Sequence, residues 1–227
     1  TLTTATGQSS PYIFVLGVGQ DAGFPQAGCY EPRCLLAWED ASLRQEPTAI
    51  AVIDRASESS YLFEATPEFR DQLYRLNQEA SFPLAGIFLT HAHIGHYTGL
   101  MHLGKEAMGT QGMPVYAMPR MLEFLSGNGP WSQLVSLGNI DLQRLEHDTP
   151  IRMGKLSITP FLVPHRDEYS ETVGYRIEGP NRTALFIPDI NKWEDWEVSI
   201  VEALEAVNYA LIDASFFADG ELGNRDM

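Results

Sequence analysis

The chain has 227 residues, 44% of them hydrophobic and 20% charged, which suits one globular domain with a substantial core and argues against a disordered chain. Thirty acidic against fifteen basic residues leave a formal charge of -15, and no Lys/Arg cluster overrides it, so a phosphate backbone is repelled and nucleic acid is not expected as a partner. No apolar run approaches the roughly 20 residues that cross a bilayer, so no membrane span is expected.

The first ten residues, "TLTTATGQSS", are rich in small and hydroxyl side chains, and Ala5-Thr6-Gly7 matches the small-x-small end of an export signal. We read residues 1–11 as a flexible leader or signal remnant, 12–227 as a single domain, and an exported, periplasmic setting as slightly favoured over a cytoplasmic one. "YIFVLGVG" from Tyr12 reads as a buried strand entering a glycine turn. Gly17-x-Gly19-x-x-Ala22 matches the dinucleotide-binding fingerprint, which requires a helix to open at its last small residue. Pro25, Pro32 and further glycines follow instead, so the nucleotide reading is rejected. Cys29 and Cys34, in "GCYEPRC", admit three readings: a small-loop disulfide, half of a structural zinc site, or two free thiols.

"TAIAVID" and "SYLFEAT" read as a strand pair across the polar turn "RASES". Pro67 then stands where a helix begins, and Phe69, Leu73 and Leu76 recur at helical spacing. "FPLAGIFLT" is the next buried strand and runs directly into "HAHIGHYTGL". "YTGLMHLGKEAMG" has helical periodicity, "MPVYAM" is a short strand, and "PRMLEFLSGNG" a helix with a proline start and a glycine stop. In the second half, "IDLQRLE", "KLSITPFLVPH", "TVGYRIEG" and "TALFIPDI" are successive strands, and "WEVSIVEALEAV" a helix leading to the strand "YALIDAS". Strands in both halves with helices around them imply a four-layer αββα sandwich, an α/β fold of two facing sheets. The last residues, "FFADGELGNRDM", follow a strand that still lacks a covering helix, so the chain reads as part of a longer protein.

Three of the six histidines, His91, His93 and His96, stand within six positions right after a buried strand. At an extended strand end, residues two apart project to the same side, so His91 and His93 can share a divalent cation. Zinc then wants a further ligand, and His165 and Asp189 each lie just beyond an apolar strand where a loop faces a cleft. His102 and His147 read as ordinary surface or core residues.

"LTHAHIGHYTGL" resembles the H-x-H-x-D-H metal motif of the metallo-β-lactamase fold superfamily. "VLGVGQDAGFPQAGC" resembles the Gly-rich "GGGFPQ" entry of the branch containing pyrroloquinoline-quinone biosynthesis protein B, and "VPHRDEYSETVGYRI" and "LFIPDI" fall in the family order. The resemblance spans Tyr12 to Ser215. It implies a first metal position at His91, His93 and His165, with His96 as a ligand of a second metal and Asp189 as the bridging carboxylate. The aspartate expected before His96 is replaced by Gly95, and the family's last histidine is not present up to Met227. Cys29 and Cys34 stand where the branch often carries a richer cysteine cluster for structural zinc. Glu64 occupies the place of an aspartate beneath the metal loop, where it fixes an imidazole tautomer or, failing that, sits in solvent.

Three neutral imidazoles leave zinc its full charge, which brings a bound water's pKa to about 7. The expectation is therefore one tightly bound zinc and a second position that is weak or empty, because only His96 and Asp189 remain for it. Iron or manganese is also compatible with these ligands. Gly95 either satisfies a positive-φ turn or opens space for substrate or water. The implied function is a metal-dependent hydrolase acting on an ester, lactone, amide or phosphodiester of a small molecule, with Asp189 and His96 serving catalysis and Arg166 steering an anionic substrate. The alternatives are an oxygen-using iron protein of cofactor biosynthesis and a non-catalytic metal-binding module.

Overall fold

The computed structural model describes residues 10–215. Residues 1–9 of the expected leader at 1–11 and the tail at residues 216–227, on which the expectations about export and a missing covering layer fall, lie outside the described residues. Strands β1 (Tyr12–Gly17), β2 (Ala49–Asp54), β3 (Ser59–Phe63), β4 (Leu84–Phe88), β5 (Met113–Ala117) and β6 (Ile140–Arg144) form one sheet in sequence order. Its first two pairings are antiparallel and the rest parallel. Strands β7 (Ile151–Met153), β8 (Leu156–Leu162), β9 (Val173–Glu178), β10 (Thr183–Ile187) and β11 (Tyr209–Ile212) form the second, in the order β11-β10-β9-β8-β7. Both sheets are mixed, since β11 joins β10 in parallel while the others pair antiparallel.

Side-chain alternation explains why the sheets face one another. In β2, Ile50 and Val52 point into the space between the sheets, while Ala49, Ala51 and Ile53 point to the helix side. Both faces are therefore covered, which is why the strand is apolar almost throughout. Tyr61, Phe63 and Phe88 from the first sheet meet Ile158, Tyr175 and Phe186 from the second to make the central layer. On the outer side, α2 (Phe69–Glu79) buries Phe69 and Leu76 with Leu62 and Ile87, and α4 (Pro119–Gly127) adds Met121 and Leu125. Behind the second sheet, Phe161, Leu185 and Ile187 pack against Trp193 and Trp196. No helix among the described residues is long and apolar enough to cross a membrane.

Several local features differ from expectation. Helix α1 (Pro32–Glu39) begins on a proline that had been read as a breaker, because proline fits a helix's first turn, where its missing N–H is not needed. The stretch after the histidines is not one helix: α3 (Ile94–Tyr97) is followed by a 3-10 segment, Thr98–Leu103. Gly99 donates its N–H to Ala65 O at 2.8 Å, and a Cβ on it would meet Thr66 O at 2.2 Å, so the chain is pressed against the end of β3. A further short helix, α5 (Trp131–Ser136), had not been anticipated, and α6 (Ile200–Glu205) is half as long as the pattern around it suggested.

Cys29 and Cys34 form a disulfide, so neither thiol is free and the half-site for structural zinc is excluded. The rejected nucleotide fingerprint folds as a turn rather than a helix start: Gly19 N donates to Glu46 O and Phe24 N to Gln45 O, pinning the loop on both sides.

Candidate metal centre

The site is assembled at one end of the two sheets from loops that follow strands. Strand β4 delivers Leu89, Thr90 and His91, β8 leads through Val163 and Pro164 to His165, and β10 leads through Pro188 to Asp189. With β9 antiparallel to both neighbours, β8 and β10 run the same way and end at the same edge. The two sheets are tied there. Val173 N donates to Thr90 O at 3.2 Å, Ala92 N donates to Ser170 Oγ at 2.8 Å, and the buried Tyr175 hydroxyl donates to Leu89 O.

Four atoms converge. His91 Nε2 lies 2.9 Å from His93 Nδ1, and His165 Nε2 lies 3.1 Å from the same nitrogen. Asp189 Oδ2 is 3.4 Å from His91 Nε2 and 3.6 Å from His165 Nε2. Zinc–ligand bonds of roughly 2.0–2.1 Å in a tetrahedron place neighbouring ligand atoms about 3.3 Å apart, so these separations fit a single shared ion.

The outer nitrogens fix the orientation. His91 Nδ1 lies 2.9 Å from Thr90 Oγ1, and the Thr90 hydroxyl donates to Glu64 Oε1 at 2.5 Å. With its proton committed to Glu64, Thr90 Oγ1 accepts from His91 Nδ1–H, which leaves Nε2 with a lone pair facing the cluster. Likewise, His93 Nε2 donates to Glu168 Oε2 at 3.0 Å and leaves Nδ1 inward. Burial holds His91 well below the ordinary histidine value and also lowers His165. Both are therefore neutral at pH 7, the form that ligates.

Glu64 is fully buried, so the solvent-exposed reading of this residue is excluded. Its backbone is left-handed, with φ at 80°, an uncommon conformation for glutamate that lets the chain turn from β3 under the histidine loop. Glu64 N donates to Phe88 O at 2.9 Å, and Ala65 N donates to His96 O at 2.8 Å. Burial raises the Glu64 carboxyl, an effect that His96 partly offsets.

His96 completes the group on the far side of Asp189, with Nε2 3.2 Å from Asp189 Oδ2 and Nδ1 3.5 Å from Glu64 Oε1. It is 2% exposed, and neither ring nitrogen has a hydrogen-bond partner. Burial disfavours its charged form, but Glu64 and Asp189 outweigh burial and push it up to about 10. For Asp189, burial opposes the charge, yet His91 and His96 hold its carboxyl well below the usual range.

Gly95 differs from both earlier readings. It lies in α3 without a positive φ, and the space beside it is not open: a Cβ there would sit 2.7 Å from Asp21 O. Asp21 had not been singled out, yet it joins His96 and Asp189 in a group able to hold a metal, with one ligand atom from each within 4.8 Å of the others. The second position thus has three candidate ligands rather than two. Thr90 was also missed; only its place next to His91 marked it. His102 and His147 stay outside these groups as expected. His102 stacks on Phe69, and His147 Nδ1 accepts from Leu162 N at 3.2 Å. Arg166 is exposed on the rim, 3.8 Å from Glu168 Oε1.

Residues 60–227 match the protein family described as the Beta-lactamase superfamily domain. Coenzyme PQQ synthesis protein B from Xanthomonas axonopodis pv. citri is 26% identical over 232 residues, covering 92% of this chain and 75% of that protein. The protein of the same name from Gluconacetobacter diazotrophicus is 25% identical over 239 residues, with the same shares. Among solved structures, Zn2+-bound PqqB from Methylobacterium extorquens has a TM-score of 0.71 at 23% identity, over 88% of this chain and 72% of that one. A diphosphatase from the PhnP family has a TM-score of 0.58 at 23% identity, over 78% and 63%. The family match takes in every histidine of the cluster together with Glu64 and Asp189. The chain belongs to the metallo-β-lactamase superfamily, on the branch that resembles coenzyme PQQ synthesis protein B.

Proposed function

We propose that the protein is a metal-dependent hydrolase of a small molecule bearing an ester, lactone, amide or phosphodiester. The convergence of His91 Nε2, His93 Nδ1, His165 Nε2 and Asp189 Oδ2 at spacings suited to one ion carries this reading. A divalent cation held there, zinc by ligand type with iron or manganese also admitted, polarises a scissile carbonyl or phosphoryl group and makes water acidic enough to react near neutral pH. The chain's own residues do the rest. Thr90 and Glu64 hold the His91 ring in one tautomer, Glu168 does the same for His93, and Asp189 and His96 face each other where a water's proton can be held. Arg166, on the rim beside His165, attracts an anionic substrate.

Zinc-loaded protein is expected to turn over one class in a panel of esters, lactones, amides, β-lactams and phosphodiesters, and to lose that activity on chelation. No turnover of any class would count against hydrolysis. The relatives' name favours a second reading, a role in coenzyme synthesis, and histidine-rich ligation would let that role use iron and oxygen. Protein that retains iron on purification and consumes oxygen, but hydrolyses nothing, would support it.

The relay behind His91 gives a separate expectation. The near-isosteric Thr90→Val removes the hydroxyl between Glu64 and His91, and such supporting partners are worth about 10–100-fold in metal affinity. A competition titration with a chromophoric chelator reads that loss; affinity within threefold of wild type would remove the relay from the site.

A further inference from the structure

The geometry points to a second cation position in which Asp21, presented from the turn after β1, takes over the ligand place that Gly95 leaves vacant, together with His96 and Asp189. This rests on the metal-site reading above and extends it to a ligand that no sequence motif contains.

The turn is built to place Asp21. Gly23 N donates to Gln20 O at 2.8 Å, closing a tight turn over Asp21 and Ala22. The segment at Gln45 to Pro47 grips both flanks through bridges to Gly19 and Phe24. Asp21 has φ at 45°, a left-handed conformation that aspartate and asparagine tolerate better than most residues. The tip of this turn lies where a side chain at position 95 would begin, since a Cβ on Gly95 would be 2.7 Å from Asp21 O and 3.1 Å from its Cα. A carboxylate at 95 and this turn therefore exclude one another, and the turn brings a carboxylate of its own.

The ligand atoms of Asp21, His96 and Asp189 lie within 4.8 Å of one another. Two carboxylates at that range repel unless positive charge lies between them. Independently, His96 is buried and neither ring nitrogen makes a hydrogen bond, with Nε2 turned toward Asp189 Oδ2 at 3.2 Å on this side of the carboxylate. One imidazole and two carboxylates suit a divalent ion of the zinc or manganese kind. Asp21 is solvent-exposed, so this position binds more weakly than the three-histidine one.

The test is a zinc titration of chelator-stripped protein against a competing chelator, with bound metal counted by elemental analysis, for wild type, Asp21→Asn and His93→Ala. Asn keeps the size and the tolerance of positive φ, so the turn survives and only the charge is lost. Wild type is expected to take up two equivalents in separable steps. In Asp21→Asn, the tighter step stays within about threefold and the weaker loses more than tenfold. A single equivalent in wild type, or a second step unchanged in Asp21→Asn, would overturn the Asp21 position while leaving the histidine site standing. His93→Ala retaining the tighter step would instead overturn the histidine site itself.

Discussion

His165→Ala is expected to strip the protein of its firmly held metal while leaving the fold in place. His165 is the one imidazole of the first position that comes from the second sheet, and its Nε2 lies 3.1 Å from His93 Nδ1 and 3.6 Å from Asp189 Oδ2. Without it, the remaining nitrogens come from a single loop, and the ion loses the ligand that closes the site across the two sheets. Residues that merely support a ligand are worth about 10–100-fold in affinity, so loss of a ligand should exceed about 100-fold, on the order of 3 kcal/mol or more. The proposed hydrolytic activity should fall with metal content. The ring is only slightly exposed at a loop, away from the central layer, so circular dichroism and the metal-free denaturation midpoint should move little. Wild-type affinity in His165→Ala would mean that the ion, if any, is held elsewhere.

Phe63→Ala should do the opposite, with a large loss of stability measured in metal-free protein. Phe63 is fully buried in β3, stacked on Phe88 at 4.9 Å between ring centroids, with Tyr175 at 5.3 Å and Phe186 at 6.2 Å meeting it edge-on. It thus joins the first sheet to the second at the level just beneath Glu64. Removing a buried phenylalanine costs about 3–5 kcal/mol, from lost burial and from the cavity left behind. Urea unfolding in the presence of chelator reads this as a lower midpoint at unchanged slope. A change below about 1 kcal/mol would show that the two sheets do not depend on this aromatic layer.

Much of this was legible because it is local. Strands such as β2 and β10 are apolar on both faces, and the histidine loop follows β4 without a break, so His91, His93 and His96 could be read from one stretch. His165 and Asp189 were visible for the same reason, each standing just past an apolar strand. What escaped was set by distant contacts. The chain after Tyr97 tightens into a 3-10 segment because Gly99 is pressed against Ala65 and Thr66, which helical periodicity cannot show. Asp21 escaped because its turn is shaped by pairing with Gln45 to Pro47, and its relation to Gly95 exists only when both are in space. Gly95 in place of the family's aspartate led to the expectation of a weak or empty second position, and nothing in the sequence tied it to Asp21. Cys29 and Cys34 left three readings open, and only their joining as a disulfide decides among them.

The central claim is that one cation is seated by imidazoles from two separate loops. Elemental analysis of protein purified without added metal, followed by X-ray absorption at the edge of the metal found, tests it directly. The account predicts at least one tightly held equivalent, surrounded by nitrogen and oxygen at about 2.0–2.1 Å if it is zinc, with the imidazole scattering pattern of several histidines. Protein that carries no stoichiometric metal and takes up none when it is supplied, or an ion ligated without histidine, would contradict it.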